Sequence, residues 1–171
     1  MCGIGGLVSL AAGEAPPTEE QMHLLISRLH HRGPDAQSVW RGDGIVLAHT
    51  RLSIIDVESS HQPMVGDLGH VMVYNGAIFN YKELRRQLPG PWKTSGDSEV
   101  MLRLLARHGI KGLQRIRGQF AVALWNQTSR KLVLARDAMG VLPLFWWTDG
   151  RQLAFASEVD ALRAIIRMPL D

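Results

Sequence analysis

The chain has 171 residues, 46% of them apolar and 20% charged, and 19 basic against 16 acidic side chains give a formal charge of +3. That composition predicts one globular domain and excludes a disordered or fibrous chain. The basic excess is spread thinly, so no nucleic-acid arm is marked, and no stretch reaches the roughly 20 apolar residues of a membrane span.

The one cysteine, Cys2, excludes an intrachain disulfide and any Cys-x-x-Cys metal site. No Lys or Arg precedes the short apolar stretch Gly3 to Ala12, which argues against a secretory signal and for a cytoplasmic protein. A lone cysteine is most simply a small buried hydrophobe. Its position opens a second reading. Removal of Met1 would give Cys2 a free α-amine beside its thiol, a built-in base for a nucleophile. Gly3, Gly5 and Gly6 would then let the backbone crowd a bound ligand.

In chain order, Ala12 to Pro17 is a loop, and Thr18-Glu19-Glu20-Gln21 is a capping box opening a helix with Met22, Leu25, Ile26 and Leu29 on one face. Gly33-Pro34 stops it near His30. Strand-like runs follow at Ile45–Ala48, Leu52–Ile55 and Val71–Tyr74. Asn80 to Glu83 reads as a second capping box, and Asp97 as the N-cap of a third helix ending near His108-Gly109. Further strands are predicted at Phe120–Trp125, Lys131–Leu134 and Leu144–Trp147. An Asp149-Gly150 hairpin leads to Leu153–Ala156, and Ser157 caps a last helix. Strands in two groups with helices between and after them predict an α+β protein of packed, helix-covered sheets rather than a doubly wound fold.

Three further positions carry potential chemistry. Arg51 is either a surface residue or a guanidinium fork for a carboxylate. Asn75-Gly76 is either a plain turn or an oxyanion hole made of the Asn75 amide and the Gly76 N–H. Asp97 either caps its helix or also pairs with a substrate ammonium. The seven histidines have no metal-ligand spacing and no glycine-rich phosphate loop occurs, so neither a metal nor a nucleotide is expected on this chain.

Taken together and in order, Met1-Cys2-Gly3-Ile4, His31-Arg32-Gly33-Pro34-Asp35, Arg51-Leu52-Ser53-Ile54-Ile55-Asp56, Tyr74-Asn75-Gly76, Gly118-Gln119-Phe120-Ala121, Arg136-Asp137 through Gly140 to Pro143-Leu144, and Ala156-Ser157-Glu158 resemble the glutaminase domain of asparagine synthetase-type amidotransferases. This is the class II, N-terminal-nucleophile kind. The resemblance spans the chain and implies a single glutaminase domain over residues 1–171 with the four-layer α/β/β/α sandwich of N-terminal-nucleophile hydrolases. It implies that Cys2 attacks glutamine to form a thioester, that Asn75 and Gly76 hold the oxyanion, and that Arg51 and Asp97 grip the α-carboxylate and α-ammonium. Leu52, Ile54 and Ile55 would complete the pocket. The ammonia would pass to a C-terminal synthetase domain or subunit, absent from this chain, where ATP and Mg would be bound.

Three departures stand out. The family usually reads Asn-Gly-Glu where Ala77 follows Asn75-Gly76, and the missing carboxylate would share the ammonium with Asp97. Gly96 replaces a common serine, and Leu142 a common lysine. Ala77 leaves two other readings open: a degenerate module with structural or regulatory duties, and an amide hydrolase of the same nucleophile class acting on another substrate.

Overall fold

The computed structural model describes residues 1–11, 17–52 and 61–166. Within them the strands are β1 (Gly3–Ser9), β2 (Ala36–Gly42), β3 (Ile45–Arg51), β4 (Met64–Val65), β5 (His70–Ile78), β6 (Gly118–Asn126), β7 (Lys131–Arg136), β8 (Phe145–Thr148) and β9 (Gln152–Ala156). The helices are α1 (Glu19–Leu29), α2 (Tyr81–Gln87), α3 (Asp97–His108) and α4 (Val159–Ile166). The chain forms two compact units: Met1–Leu52 with Pro143–Asp171, and Ser53–Leu142.

The first unit is a five-stranded antiparallel sheet in the order β2-β3-β1-β9-β8. Helices α1 and α4 cover one face, where Leu7, Val46, Ala154 and Ala156 of the sheet meet Met22, Leu25, Leu29, Leu162 and Ile165. Helix α1 starts at the expected capping box: the Gln21 N–H donates to Thr18 Oγ1 at 3.2 Å, and the Thr18 N–H to Gln21 Oε1 at 2.9 Å. The glycines of β1 serve packing rather than ligand access. A Cβ at Gly3 or Gly5 would run into Leu29 or Leu25 of α1, and one at Gly6 into the Phe155 ring.

The second unit is a four-stranded antiparallel sheet, β4-β5-β6-β7. Met72, Tyr74, Ile78, Phe120, Val122 and Leu124 face α2 and α3, which contribute Leu84, Val100, Met101, Leu104 and Leu105 to the core. Residues of both faces are buried along β1, β3 and most of β5 and β6, as their unbroken apolar runs predict.

Several local expectations are corrected. Asn75-Gly76 is not a turn but lies inside β5, where the register sets Asn75 opposite Ala121 and Gly76 opposite Phe120. Asp97 is the first residue of α3 and Gly96 its N-cap, because the Asp97 carboxylate is bound elsewhere. Asn80 precedes α2 without a side-chain cap; its amide instead accepts from the Arg117 N–H and donates to the Arg115 carbonyl. Ser157 does not cap α4. It extends the β1–β9 ladder by one pair, its Oγ accepting from Ile4 N–H at 3.0 Å and its N–H donating to the Ile4 carbonyl at 2.8 Å. The strand expected at Leu52–Ile55 is absent at Leu52, and its remaining residues lie outside the described ones.

Candidate active site

In the first unit, Cys2 sits half-buried just before β1. The β1–β3 register pairs Gly3 with Thr50, so continuing it by one residue puts Cys2 opposite Arg51. The Leu52 N–H donates to Cys2 Sγ at 3.4 Å, and the thiol lies 3.7 Å from the Leu52 carbonyl. Arg51 ends β3 and is only 6% exposed. Its carbonyl accepts from the Asp35 N–H at 3.0 Å, tying the strand end to the Gly33-Pro34 turn.

Arg32 has no role in the sequence reading, yet it holds the Cys2 backbone and is itself held by Glu158. Arg32 Nε donates to the Cys2 carbonyl at 3.1 Å, and its Nη1 to Glu158 Oε1 at 2.9 Å. His31 Nε2 lies 2.9 Å from the same oxygen. Burial pushes the Glu158 carboxyl upward, but the bonds from Arg32 and His31 outweigh it and hold its pKa below the ordinary value. Arg32 Nη2 is buried with no acceptor among the described residues. Both partners stand in motifs whose order carries the resemblance; nothing in their residue type foretold the pairing.

In the second unit the candidate residues lie along one edge of β5. Tyr74 is held at that edge by Gln62, whose Oε1 accepts the Tyr74 N–H at 2.6 Å while its Nε2 donates to the Tyr74 carbonyl at 2.9 Å. Four residues on, the Ile78 N–H donates to Asp97 Oδ2 at 2.8 Å. Backbone groups alternate in direction along an antiparallel strand, so the Gly76 N–H points to this same edge. The backbone of its partner Phe120 is bonded toward Asp137 instead: the Phe120 N–H to Asp137 Oδ2 and the Phe120 carbonyl to the Asp137 N–H.

Asn75 is 4% exposed, and its Nδ2 has no hydrogen-bond partner among the described residues. A buried amide donor left unpaired costs about 1–3 kcal/mol, so its retention calls for a ligand acceptor. Asp97 is also buried; Oδ2 takes the Tyr74 hydroxyl at 2.8 Å besides the Ile78 N–H. Oδ1 has no bond to a described residue, which leaves a carboxylate oxygen for a cation. Close behind Asp97, Glu99 accepts from the N–H groups of Lys93 and Thr94, the Thr94 hydroxyl and Arg103. Burial raises its pKa, but these bonds together bring it below the ordinary carboxylate value.

Thus Cys2, Arg51 and Leu52 come together at one end of the first sheet, and Asn75, Gly76 and Asp97 at one edge of the second. Ile54 and Ile55 lie outside the described residues. Among the described residues no group of His, Cys, Asp and Glu could hold a metal ion, and no helix is long and apolar enough to cross a membrane.

The fold is shared with an amidotransferase of known structure. It superposes on glutamine phosphoribosylpyrophosphate amidotransferase from B. subtilis with a TM-score of 0.77 over 96% of this chain and 43% of that one, at 21% identity. Residues 1–171 match the glutamine amidotransferase domain family, and the chain belongs to it. It is 36% identical to asparagine synthetase [glutamine-hydrolyzing] 2 of Bacillus subtilis over 95% of its length, and 35% identical to asparagine synthetase B of Escherichia coli over 98%. The chain spans 22% and 31% of those two proteins.

Proposed function

We propose that this chain hydrolyses the side-chain amide of glutamine through a Cys2 thioester and delivers the ammonia to an ATP-dependent, asparagine synthetase-like domain or subunit. The observation that carries the reading is the buried Asn75 amide, whose Nδ2 has no hydrogen-bond partner among the described residues, next to a Gly76 N–H that points away from β6. Two adjacent donors of this kind suit a developing oxyanion.

In the proposed reaction Met1 is removed, and the Cys2 α-amine takes the thiol proton directly or through a water. Sγ attacks the amide carbon, Asn75 and Gly76 stabilise the tetrahedral oxyanion, and the proton passes to the leaving nitrogen as ammonia departs. Water then attacks the thioester and releases glutamate. Arg51 grips the α-carboxylate, Asp97 Oδ1 the α-ammonium, and Leu52, Ile54 and Ile55 line the pocket. Arg32 acts through the Cys2 carbonyl, fixing the direction of the nucleophile. No cofactor is needed on this chain; ATP and Mg belong to the synthetase part, and the setting is cytoplasmic.

The test is glutamate release from glutamine, with the intact mass recorded on the same sample and a Cys2→Ala control. Hydrolysis that needs Cys2 in protein lacking Met1 supports the reading; a Met1-free protein inert toward glutamine sinks it. Ala77 favours a second reading, an amide hydrolase of the same class with another substrate, which cleavage of another amide by that glutamine-inert protein would identify.

A further inference from the structure

We propose that the second unit carries a separate binding site, a cleft beside α3 that takes a small amphipathic monoanion: an apolar body with a single carboxylate or phosphate head. The cleft has a volume of about 410 Å³, the size of small-molecule sites. Its floor is formed by buried Met64, Leu88 and Leu102, and its rim carries Lys93, Arg103 and Arg107 against Asp67 and Glu99.

The rim charges pair off unevenly. Arg103 Nε donates to Glu99 at 2.9 Å, and Lys93 Nζ lies 3.8 Å from Asp67 Oδ1. Arg107 is exposed and has no hydrogen bond or ion pair to any described residue. One uncompensated guanidinium beside an apolar floor matches one anionic head on one apolar body.

Leu68 supplies an independent observation. It lines the same cleft with φ 61° and ψ 27°, the left-handed region that a leucine rarely adopts, and its side chain is 79% exposed. Folding gains nothing from holding a strained leucine in water, and such strain gathers at ligand clamps. A cavity of about 410 Å³ suits a small molecule. The site shares no residue with those assigned to glutamine and stands or falls without that reading.

The experiment is a titration of the full chain, followed by methyl NMR, with octanoate, octan-1-ol and acetate. Octanoate is expected to shift the Met64, Leu88 and Leu102 methyls saturably. Octanol, with the same tail and no charge, binds about tenfold more weakly or worse, the worth of one charge-assisted contact, and acetate shifts nothing. Arg107→Ala brings octanoate down to the octanol level, while Arg107→Lys keeps most of the binding. Because Arg107 is exposed and bonds to no described residue, neither change threatens the fold. Equal affinity for octanoate and octanol, indifference to Arg107→Ala, or no saturable shift of these methyls would overturn the proposal.

Discussion

Asn75 and Ala77 occupy one face of the same strand, two residues apart, and their substitutions separate chemistry from binding. Replacing Asn75 by alanine removes a donor that the described protein leaves unpaired. The fold therefore loses little, since deleting an orphaned polar group spares its desolvation cost, whereas the proposed oxyanion loses a partner. Asn75→Ala is expected to lower kcat for glutamine hydrolysis about 10²–10³-fold while thermal unfolding stays near the parent midpoint. A large drop in the midpoint with kcat preserved would make Asn75 a structural residue instead. Ala77 stands where the resemblance to asparagine synthetase-type glutaminase domains implies a glutamate. Restoring a charge-assisted contact to the substrate ammonium is worth about 1.5–3 kcal/mol. Ala77→Glu is expected to lower KM for glutamine by roughly ten- to a hundredfold with kcat little changed; an unmoved saturation curve refutes that role.

At the scale of elements, the edge of β5 depends on a side chain acting as a strand. Gln62 makes both backbone bonds to Tyr74 that a continued β4 would make, two residues beyond the Met64–Met72 pair. Gln62→Ala removes the bonds to a buried N–H and carbonyl, a cost of about 2–6 kcal/mol at 1–3 each. The midpoint should fall, and kcat with it, because the Gly76 donor lies on the loosened edge. Unchanged kcat in the folded variant would show that this edge does not position the donor. Such a contact was illegible in the sequence, since nothing about a glutamine before Pro63 says that it will pair with a backbone. Strands β3, β5 and β6 were legible from unbroken apolar runs, and α1 from its capping box and helical spacing. Strand β2 was not: it lies at a sheet edge and alternates exposed and half-buried residues around only Val39 and Trp40 as large apolar side chains. The caps expected at Asn80, Asp97 and Ser157 failed for one shared reason: each side chain found a partner distant in sequence, which local patterns cannot show. For the candidate site, motif order proposes Cys2, Arg51, Asn75, Gly76 and Asp97, while Arg32 emerged only from its hydrogen bonds to Cys2 and Glu158.

At the scale of the whole molecule, Glu158, Glu99 and Asp137 each tie segments together, and each has a lowered pKa. Glu158 binds Arg32 and His31 in the first unit; Glu99 gathers the chain before α3 in the second. There too, Asp137 accepts four N–H groups, from Phe120, Met139, Val141 and Leu142, closing the turn after β7. Burial raises each pKa, but the hydrogen bonds prevail and bring each below its ordinary value. A carboxylate with a depressed folded pKa contributes its stability in full above the unfolded value, about 4.3 for Glu and 3.9 for Asp. That contribution is lost as pH falls through the folded value, because the unfolded chain takes up protons first. These groups therefore leave stability level between pH 7 and about 5 and make it drop steeply in more acid solution. Asp137→Asn should lower the unfolding midpoint at pH 7, where four bonds to a charged acceptor are weakened. The same variant should lose less than the parent on acidification, since one of the linked protons is gone. Urea unfolding at a series of pH values measures both effects. A variant curve running parallel to the parent down to pH 3 would mean that Asp137 has no part in the acid response.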